Sequence, residues 1–418
     1  MSRLPRPVWI LGWISLATDA ATEAVYPLLP FFLTRVLRTG AVSLGIIEGA
    51  AEATNSLLKI LAGRAADRSR TKRPLVLVGY SISSFARPFI ALTSTWTQVF
   101  AVRVLDRVGK GIRSAPRDAL LAGWATPETR GKVYGFHRGM DHAGAIVGPL
   151  VASLFLFFYP DRYRLLFALT IIPGAIAVGL IFLVREPDSV VASGFSRTDP
   201  ADAGRFRPKR DEQVLLKPDP ASSNGLPRSF TRFMLVLTLF TLGNSTDAFL
   251  LLRLTDSAGS VQFIPLMWAA LHVVKASVSM IGGSWSDRVG RRTVIATGWL
   301  VYAVVYAGFA LSTTITALVG WFLLYGFYFG FAEGTEKALI ADLAPPDRRG
   351  VAFGIYNAVT GLGALAASLV FGLIWNAYGT AAAFGVGCGF ALLATALLFV
   401  VLPSREAPSH PRHLGQLL

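Results

Sequence analysis

Apolar segments of roughly membrane-spanning length alternate with short polar segments along the chain. At a rise of about 1.5 Å per residue, about 20 apolar residues are enough to cross a hydrocarbon core of about 30 Å. The pattern predicts twelve transmembrane helices, near residues 9–34, 42–62, 75–93, 97–118, 133–157, 163–184, 231–252, 261–282, 293–312, 316–343, 351–376 and 381–403. The first segment runs on through Pro27 and Pro30 without a small-residue cleavage site, so we expect it to be a retained helix.

Composition supports an all-α membrane protein that lies in the lipid bilayer. Of the 418 residues, 53% are hydrophobic and 16% are charged, against about 25% charged residues in soluble domains. The mean hydropathy is +0.52. This content excludes a soluble globule and a disordered chain. The single cysteine, Cys388, excludes a disulfide scaffold and a thiol redox pair.

The positive charges predict the orientation of the chain. The net charge is +15, and Lys and Arg are concentrated in loops on the side of the N-terminus, such as those holding Arg64, Lys72 and Arg291. Opposite loops hold few, such as Arg35 and Arg162. The positive-inside rule therefore predicts cytoplasmic termini and a multi-pass protein of the inner, or cytoplasmic, membrane. Nucleic-acid binding is not expected, because no folded basic module is recognisable.

An internal repeat divides the chain into two six-helix halves. Gly63, Asp67 and Arg68 recur as Gly283, Asp287 and Arg288 at an offset of 220, and Arg117 corresponds to Glu336 at an offset of 219. We expect an N-terminal bundle over 1–184, a polar cytoplasmic linker over 185–230, a C-terminal bundle over 231–403 and a cytoplasmic tail over 404–418. Parallel halves of this kind are related by a pseudo-two-fold axis and enclose a central cavity.

Several charged residues fall near the middle of predicted spans. Helical rise places Asp19 about 16 Å from the cytoplasmic end of span one, and Glu52 and Arg107 about 15 Å from the outer ends of spans two and four. Each such charge costs at least about 2.5–3.5 kcal/mol to insert and usually lines a cavity or an ion path. An acid that pairs with an arginine in one conformation and loses it in another exchanges a proton.

We therefore expect two sets of functional residues. The predicted proton-coupling set is Asp19, Glu23, Glu52 and Asp141, with Arg107 as their modulating partner. The predicted cavity set is Asn55, Arg87, Arg103, Lys110, Arg113, His272, Lys275, Tyr302 and Tyr306. Two alternatives stay open: the charges form structural ion pairs with one another, and the tyrosines belong to core packing or interfacial belts.

The repeated loops and a glycine stretch predict gating and close packing. We expect helices to end near Gly63 and Gly283, and the acid and arginine that follow each glycine to latch the cytoplasmic face in one conformation. The alternative is that these loops are topogenic basic turns. Gly144, Gly148 and Pro149 favour close helix packing and a bend in span five, with a specific role against leakage as the alternative.

The motifs of an enzyme are missing from the sequence. His137 and His142 are five residues apart on a helix, a spacing that splays them, so we expect no metal site. No nucleophile–base arrangement and no phosphate-binding glycine loop is recognisable, which argues against an enzyme and against an ATP-driven pump. A membrane sensor is also disfavoured, because the linker is too short for an output domain, and paired repeats with latching loops fit a channel poorly.

These motifs resemble those of the major facilitator superfamily. The repeated Gly-x-x-x-Asp-Arg loops, the Arg107-x-x-x-Gly111 stretch and the Gly144-x-x-x-Gly148-Pro149 stretch are similar to its signatures, the last two to those of proton-coupled and antiporter members. The resemblance implies the twelve-helix major facilitator fold and a transporter working by alternating access. It further implies export of small amphipathic or drug-like molecules, driven by the proton gradient without a cofactor, and we expect a monomer. Proton-coupled import of a polar nutrient or a siderophore-like metal chelate is the alternative.

Overall fold

The computed structural model describes residues 4–69, 71–125, 130–186, 226–258, 261–345 and 348–401. Within these ranges the chain forms twelve helical spans, as the hydrophobic pattern predicts. Most of the predicted linker and the predicted tail lie outside the described residues, as do the side chains of 66–68, 130–132, 280–284, 287–288 and 349–350.

The spans follow the predicted order. Those of the first half are Arg6–Val25 extended by short turns to Val36 (span one), Ala41–Arg68 (two), Arg73–Ala86 with a 3-10 turn Arg87–Leu92 (three), Trp96–Gly123 (four), Arg130–Phe158 (five), and Tyr163–Leu169 with Ile171–Ile181 (six). Those of the second half are Arg228–Gly243 with Ala248–Ala258 (seven), Ile264–Val289 (eight), Arg291–Leu311 (nine), Ile315–Leu343 (ten), Arg349–Tyr378 (eleven) and Thr380–Val401 (twelve).

The helix ends differ from the prediction in two places. The helices run past Gly63 and Gly283 to Arg68 and Val289, so the expected ends at these glycines are wrong. A glycine inside a helix costs only about 1 kcal/mol, and the residues after Gly63 are mostly good helix formers. Span eight instead ends at Gly290, whose φ of 91° lies in the region that glycine tolerates.

Span seven, predicted as one helix, is interrupted. Its two helices are separated by the non-helical residues 244–247, all four of them polar. Asn, Ser, Thr and Asp compete for backbone hydrogen bonds with their own side chains, which explains why the helix breaks there. The break brings polar backbone and side-chain groups to the middle of the second half.

Eight of the spans are apolar enough to cross a membrane by length and composition alone. Spans one, two, four and eight fall outside this group. They carry Asp19, Glu52, Arg107 and Lys275, respectively. Polar spans of this kind bury their charges inside a bundle rather than facing lipid.

The two halves repeat the same packing. In the first half span one packs on spans five and six, span four packs on two and three, and span three packs on six. The second half repeats these pairings six spans later: seven packs on eleven and twelve, ten on eight and nine, and nine on twelve. The halves meet mainly where span two packs on span eleven and span five packs on span eight.

The halves are sealed on one face. We call the face at which span two ends and span three begins the linker face, and the opposite one the far face. The larger buried apolar cluster includes far-face residues of both halves, among them Leu33, Leu44, Phe249 and Leu254. An ion pair between Arg35 and Asp256 (3.1 Å) also joins the halves there.

On the linker face the contact between the halves includes solvent-exposed charges, and we call the space around them the crevice. Arg138 of span five pairs with Glu333 of span ten across the halves (3.3 Å), yet their side chains are 60% and 45% exposed. Arg138 lies about 12 Å along its helix from the linker-face end, a depth at which exposed charges need water. Gly139 and Gly334 beside them have open space where a side chain would stand. We therefore interpret the described conformation as open toward the linker face.

Candidate functional site

The acids of span one lie at the boundary between the crevice and the far-face seal. Glu23 accepts a hydrogen bond from the indole N–H of Trp268, on span eight of the other half (2.7 Å). Asp19, one turn nearer the crevice and partly buried, has no cation within 4 Å among the described residues. The charged groups that act on it include Asp141, Lys110 and Arg113.

Asp141 connects span five to span one. It accepts a hydrogen bond from the Ser15 hydroxyl, and its other oxygen lies 3.6 Å from Nδ1 of His137. His142 lies on the same span, and no group of three or more metal-ligating side chains occurs among the described residues. Asp141 therefore contacts span one at Ser15, one turn from Asp19, and its charge is among those that act on Asp19.

Glu52 lies on span two, one turn before Asn55 and Ser56. It accepts a hydrogen bond from the Asn55 amide (3.2 Å) and a longer one from the Ser56 hydroxyl (3.5 Å). The nearby cations that act on it are Lys59, Arg107 and Lys110. Lys110 interacts with both Asp19 and Glu52, so this lysine links the acids of spans one and two.

Behind these groups lies a buried ionic cluster in the first half. Arg103 makes a two-point contact with Glu48 (2.9 and 2.7 Å), and Asp106 lies among Arg87 (3.0 Å), Arg103 (3.6 Å) and Arg107 (3.7 Å). Each residue is at most 7% exposed. The cluster has three cations for two anions, and both Arg87 and Arg107 keep buried N–H groups that have no hydrogen-bond partner among the described residues.

The structure thus places the predicted cations of the cavity set in the first half in three different environments. Arg87 and Arg103 belong to the buried cluster, where each is 2% exposed. Arg113 lies over the ring of Tyr80 (4.3 Å). Lys110 lies between two acids that carry no ion pair of their own in the described residues. Structural pairing, the open alternative for these charges, describes Arg87 and Arg103 in this conformation.

The second half contributes one ion pair and aromatic rings. Lys275 lies 3.6 Å from Asp247 and 3.4 Å from the centre of the Phe329 ring. Asp247 also accepts a hydrogen bond from Tyr325 (2.7 Å). Trp268 lies edge-on to His272 (5.1 Å), whose two ring nitrogens are buried and have no hydrogen-bond partner among the described residues.

Tyr302 and Tyr306 are buried in the second half. The two rings stack on each other (4.1 Å) and both are 0% exposed. Their hydroxyls bond to the carbonyl of Gly243 (2.8 Å) and to Ser245 (3.1 Å), next to the break in span seven. In this conformation they pack in the core, and they do not reach the crevice.

The predicted gating residues can be placed only by their helices. Gly63 lies inside span two, 3.9 Å from Ala115 as measured from an added Cβ. Asp67, Arg68, Gly283, Asp287 and Arg288 have side-chain surroundings outside the described residues. Their latching role stays a prediction.

The glycines of span five lie where two helices touch. A Cβ on Gly144 or Gly148 would overlap the backbone of Leu16 or Ala20 on span one. Pro149 is buried next to Gly148, inside the helix of span five. This arrangement fits the close packing that the motif predicts.

One buried acid of the second half was not assigned a role by the sequence. Glu336 on span ten is 5% exposed and accepts hydrogen bonds from Trp299 (2.9 Å) and Tyr356 (3.2 Å). Its only signal in the sequence is the repeat, which aligns it with Arg117 of the first half. Trp268, the partner of Glu23, was recognisable only as one aromatic residue among several.

Comparison with known proteins identifies the family. A family model of the Major Facilitator Superfamily matches residues 9–255 and 233–416. An uncharacterised MFS-type transporter of Methanocaldococcus jannaschii is 30% identical over 379 residues, covering 89% of each chain. The multidrug resistance protein MdtH of Edwardsiella ictaluri is 25% identical over 343 residues, covering 81% of this chain and 79% of that one.

Solved structures share the architecture at low identity. The nucleoside transporter NupG superposes with a TM-score of 0.73 at 15% identity, covering 96% of this chain and 100% of that one. A D-xylose–proton symporter gives a TM-score of 0.68 at 16% identity, covering 95% and 97%. At these identities the likeness shows the fold alone. With its repeated halves, polar central spans and matching family model, the chain belongs to the Major Facilitator Superfamily and is a transporter rather than an enzyme.

Proposed function

We propose that this transporter exports small amphipathic molecules in exchange for protons, working by alternating access in the cytoplasmic membrane with both termini inside. The proton gradient is its energy source and no cofactor takes part. The linker face, which carries the basic loops, is then cytoplasmic, and the described conformation is open to the cytoplasm.

The observation that carries the proposal is the hydrogen bond between Glu23 and Trp268. It joins the two halves at the inner edge of the far-face seal, and the indole N–H can only donate. An ionised carboxylate accepts such a bond more strongly than a protonated one does. Proton uptake on span one therefore weakens a contact that must break before the far face opens.

Asp19 and Asp141 provide a second place at which a proton can bind. Asp19 and Asp141 lie on adjacent helices, and the charge of Asp141 acts on Asp19. Lys110 and Arg113 oppose that effect, so a small movement of span four changes the balance. Alternation between these arrangements couples the proton to the exposure of the crevice.

The substrate class rests on two supports. Curated relatives that the chain matches at about a quarter identity are named multidrug resistance proteins. Near the crevice, Lys275 contacts Phe329 and faces Trp268 (5.3 Å), which places apolar rings beside a charge. The charge-rich first half favours the second candidate, proton-coupled import of a polar solute.

Proton release on substrate addition tests the proposal. The purified protein is reconstituted in liposomes that contain a pH-sensitive dye and carry an imposed pH gradient. Ethidium, an amphipathic aromatic cation, and xylose, a polar uncharged solute, are added in turn. We expect ethidium to move protons in the opposite direction to itself, and Asp19→Asn and Glu52→Gln to abolish this flux at unchanged protein yield.

A matched control and the direction of flux decide the result. Asp161→Asn makes the same chemical change in a far-face loop, at a φ of 60° that asparagine tolerates, and should keep full flux. Proton movement in the same direction as xylose, with none for ethidium, would support import instead. Full flux in the Asp19→Asn, Glu52→Gln double variant would place the proton path elsewhere.

A further inference from the structure

Glu336 is a buried acid without a cation. Its side chain is 5% exposed on span ten, and no Lys, Arg or His nitrogen lies within 4 Å of it among the described residues. The adjacent Lys337 turns away and pairs with Glu333 (2.8 Å). An ionised carboxylate in such surroundings is costly, whereas a carboxylic acid is not.

The two hydrogen-bond partners of Glu336 suit both forms of the acid. The indole N–H of Trp299, on span nine, donates to one oxygen of Glu336 (2.9 Å). It does so in either form of the acid, because an indole N–H can donate a hydrogen bond but cannot accept one. The hydroxyl of Tyr356, on span eleven, lies 3.2 Å from the other oxygen. A tyrosine hydroxyl donates to a carboxylate and accepts from a carboxylic acid, so the contact between the two oxygens can persist in either form of Glu336.

The repeat shows that the position carries a charge-bearing residue in both halves. At the same offset of 219, Glu336, Trp299 and Tyr356 correspond to Arg117, Tyr80 and His137. Arg117 is a permanent cation and pairs with Asp118 (2.9 Å). The second half therefore has a titratable group where the first half has a fixed charge.

A solvent-exposed ion pair lies one helical turn from Glu336. Glu333, three residues earlier on span ten, is 45% exposed and pairs with Lys337 and with Arg138 of the other half. Tyr328 on the same span also interacts electrostatically with Glu336. A change in the pairing of Glu333 as the crevice closes alters the charge next to Glu336 on the crevice side.

We propose that Glu336 takes up and releases a proton during the transport cycle, through the oxygen that faces Tyr356, so that the second half has a proton-binding acid of its own. The role in transport rests on the proton coupling proposed above, whereas proton binding itself does not.

Infrared spectroscopy of the full-length protein in lipid nanodiscs tests proton binding without any substrate. A protonated carboxyl gives a carbonyl band that shifts in heavy water, and we expect a pH-dependent band of this kind that is lost in Glu336→Gln. The amide of this variant keeps both hydrogen bonds, so the fold should be retained. Glu333→Gln, a matched change in an exposed and ion-paired acid, should leave the band in place.

Tyr356→Phe supplies a second test that does not require replacing the acid. Removing the hydroxyl takes away the acceptor of the protonated form, so the band should shift in frequency. A band unchanged in both Glu336→Gln and Tyr356→Phe at every pH would overturn the proposal and leave Glu336 as an ionised tether between spans nine, ten and eleven.

Proton flux in liposomes separates the two proposals. We expect Glu336→Gln to lower the number of protons moved per ethidium, and Glu336→Asp to restore it in part. If the wild type moves no protons while the Glu336 band titrates, the proposed function fails and proton binding stands. If the wild type moves protons and the band is absent, the inference about Glu336 fails alone.

Discussion

The ion pair between Glu48 and Arg103 offers a direct measure of what the buried charges do. Arg103 is 2% exposed and Glu48 is 5% exposed, and two hydrogen bonds join them (2.9 and 2.7 Å). Removing one partner of such a pair leaves an uncompensated buried charge, at a cost of about 3–5 kcal/mol. Asp106 lies 3.6 Å from Arg103 and offsets part of this loss.

We therefore expect Glu48→Gln to destabilise the protein by about 3 kcal/mol, the lower end of that range. Since about 1.4 kcal/mol is a factor of ten, the ratio of folded to unfolded protein should fall by a factor of about a hundred or more. Reversible unfolding of the purified protein in mixed micelles, followed by tryptophan fluorescence, measures the change. Arg103→Gln and the double variant complete a cycle that isolates the pair.

The exposed pair between Arg35 and Asp256 is the matched control. Its side chains are 58% and 35% exposed, and pairs of this kind contribute about 0–1 kcal/mol. Asp256→Asn should therefore change the free energy of unfolding little. If Glu48→Gln costs no more than Asp256→Asn, Glu48 is protonated or solvated in the protein, and our assignment of the cluster to structure is refuted.

Two further predictions concern packing and gating. Gly148→Ala should lower the unfolding free energy by about 1–3 kcal/mol, because the new Cβ overlaps the backbone of Ala20. Gly139→Ala, whose new Cβ meets open space, should be nearly neutral. Equal effects of the two variants in the same unfolding assay would contradict the packing. Trp268→Phe keeps an aromatic ring but removes the N–H that donates to Glu23, so the far face should open more often. Faster labelling of a far-face cysteine by an impermeant maleimide, in a Cys388→Ser background, would show this, and an unchanged rate would count against the gate.

The hydrophobic pattern predicted the twelve spans because each span must satisfy a length requirement that is local in sequence. The interruption at 244–247 was not predicted, since four polar residues within a long apolar stretch barely change the hydropathy averaged over a window. The helix extensions past Gly63 and Gly283 were not predicted either, because helices continue beyond the apolar segment into polar residues.

The site was less predictable than the fold. Depth along a span identified Asp19, Glu52 and Arg107 as buried or partly buried charges, since depth follows from helical rise. The contact partners of such residues could not be predicted from depth. The contact of Glu23 with Trp268, for example, joins residues 245 positions apart and depends on how the two bundles dock. Glu336 lay beyond the mid-depth region on which the prediction concentrated, so only the register of the repeat pointed to it.

The seam between spans two and eleven has a consequence for how the halves move. Glycines at 45, 49 and 372 bring the two backbones into direct contact near the far face, with Ser368, Leu365 and Ala41 opposite them. Surfaces this smooth have few interlocking side chains, so they can slide or part without any rotamer having to change. A larger residue at one of these glycines would clash with the facing helix and block the relative movement of the two halves.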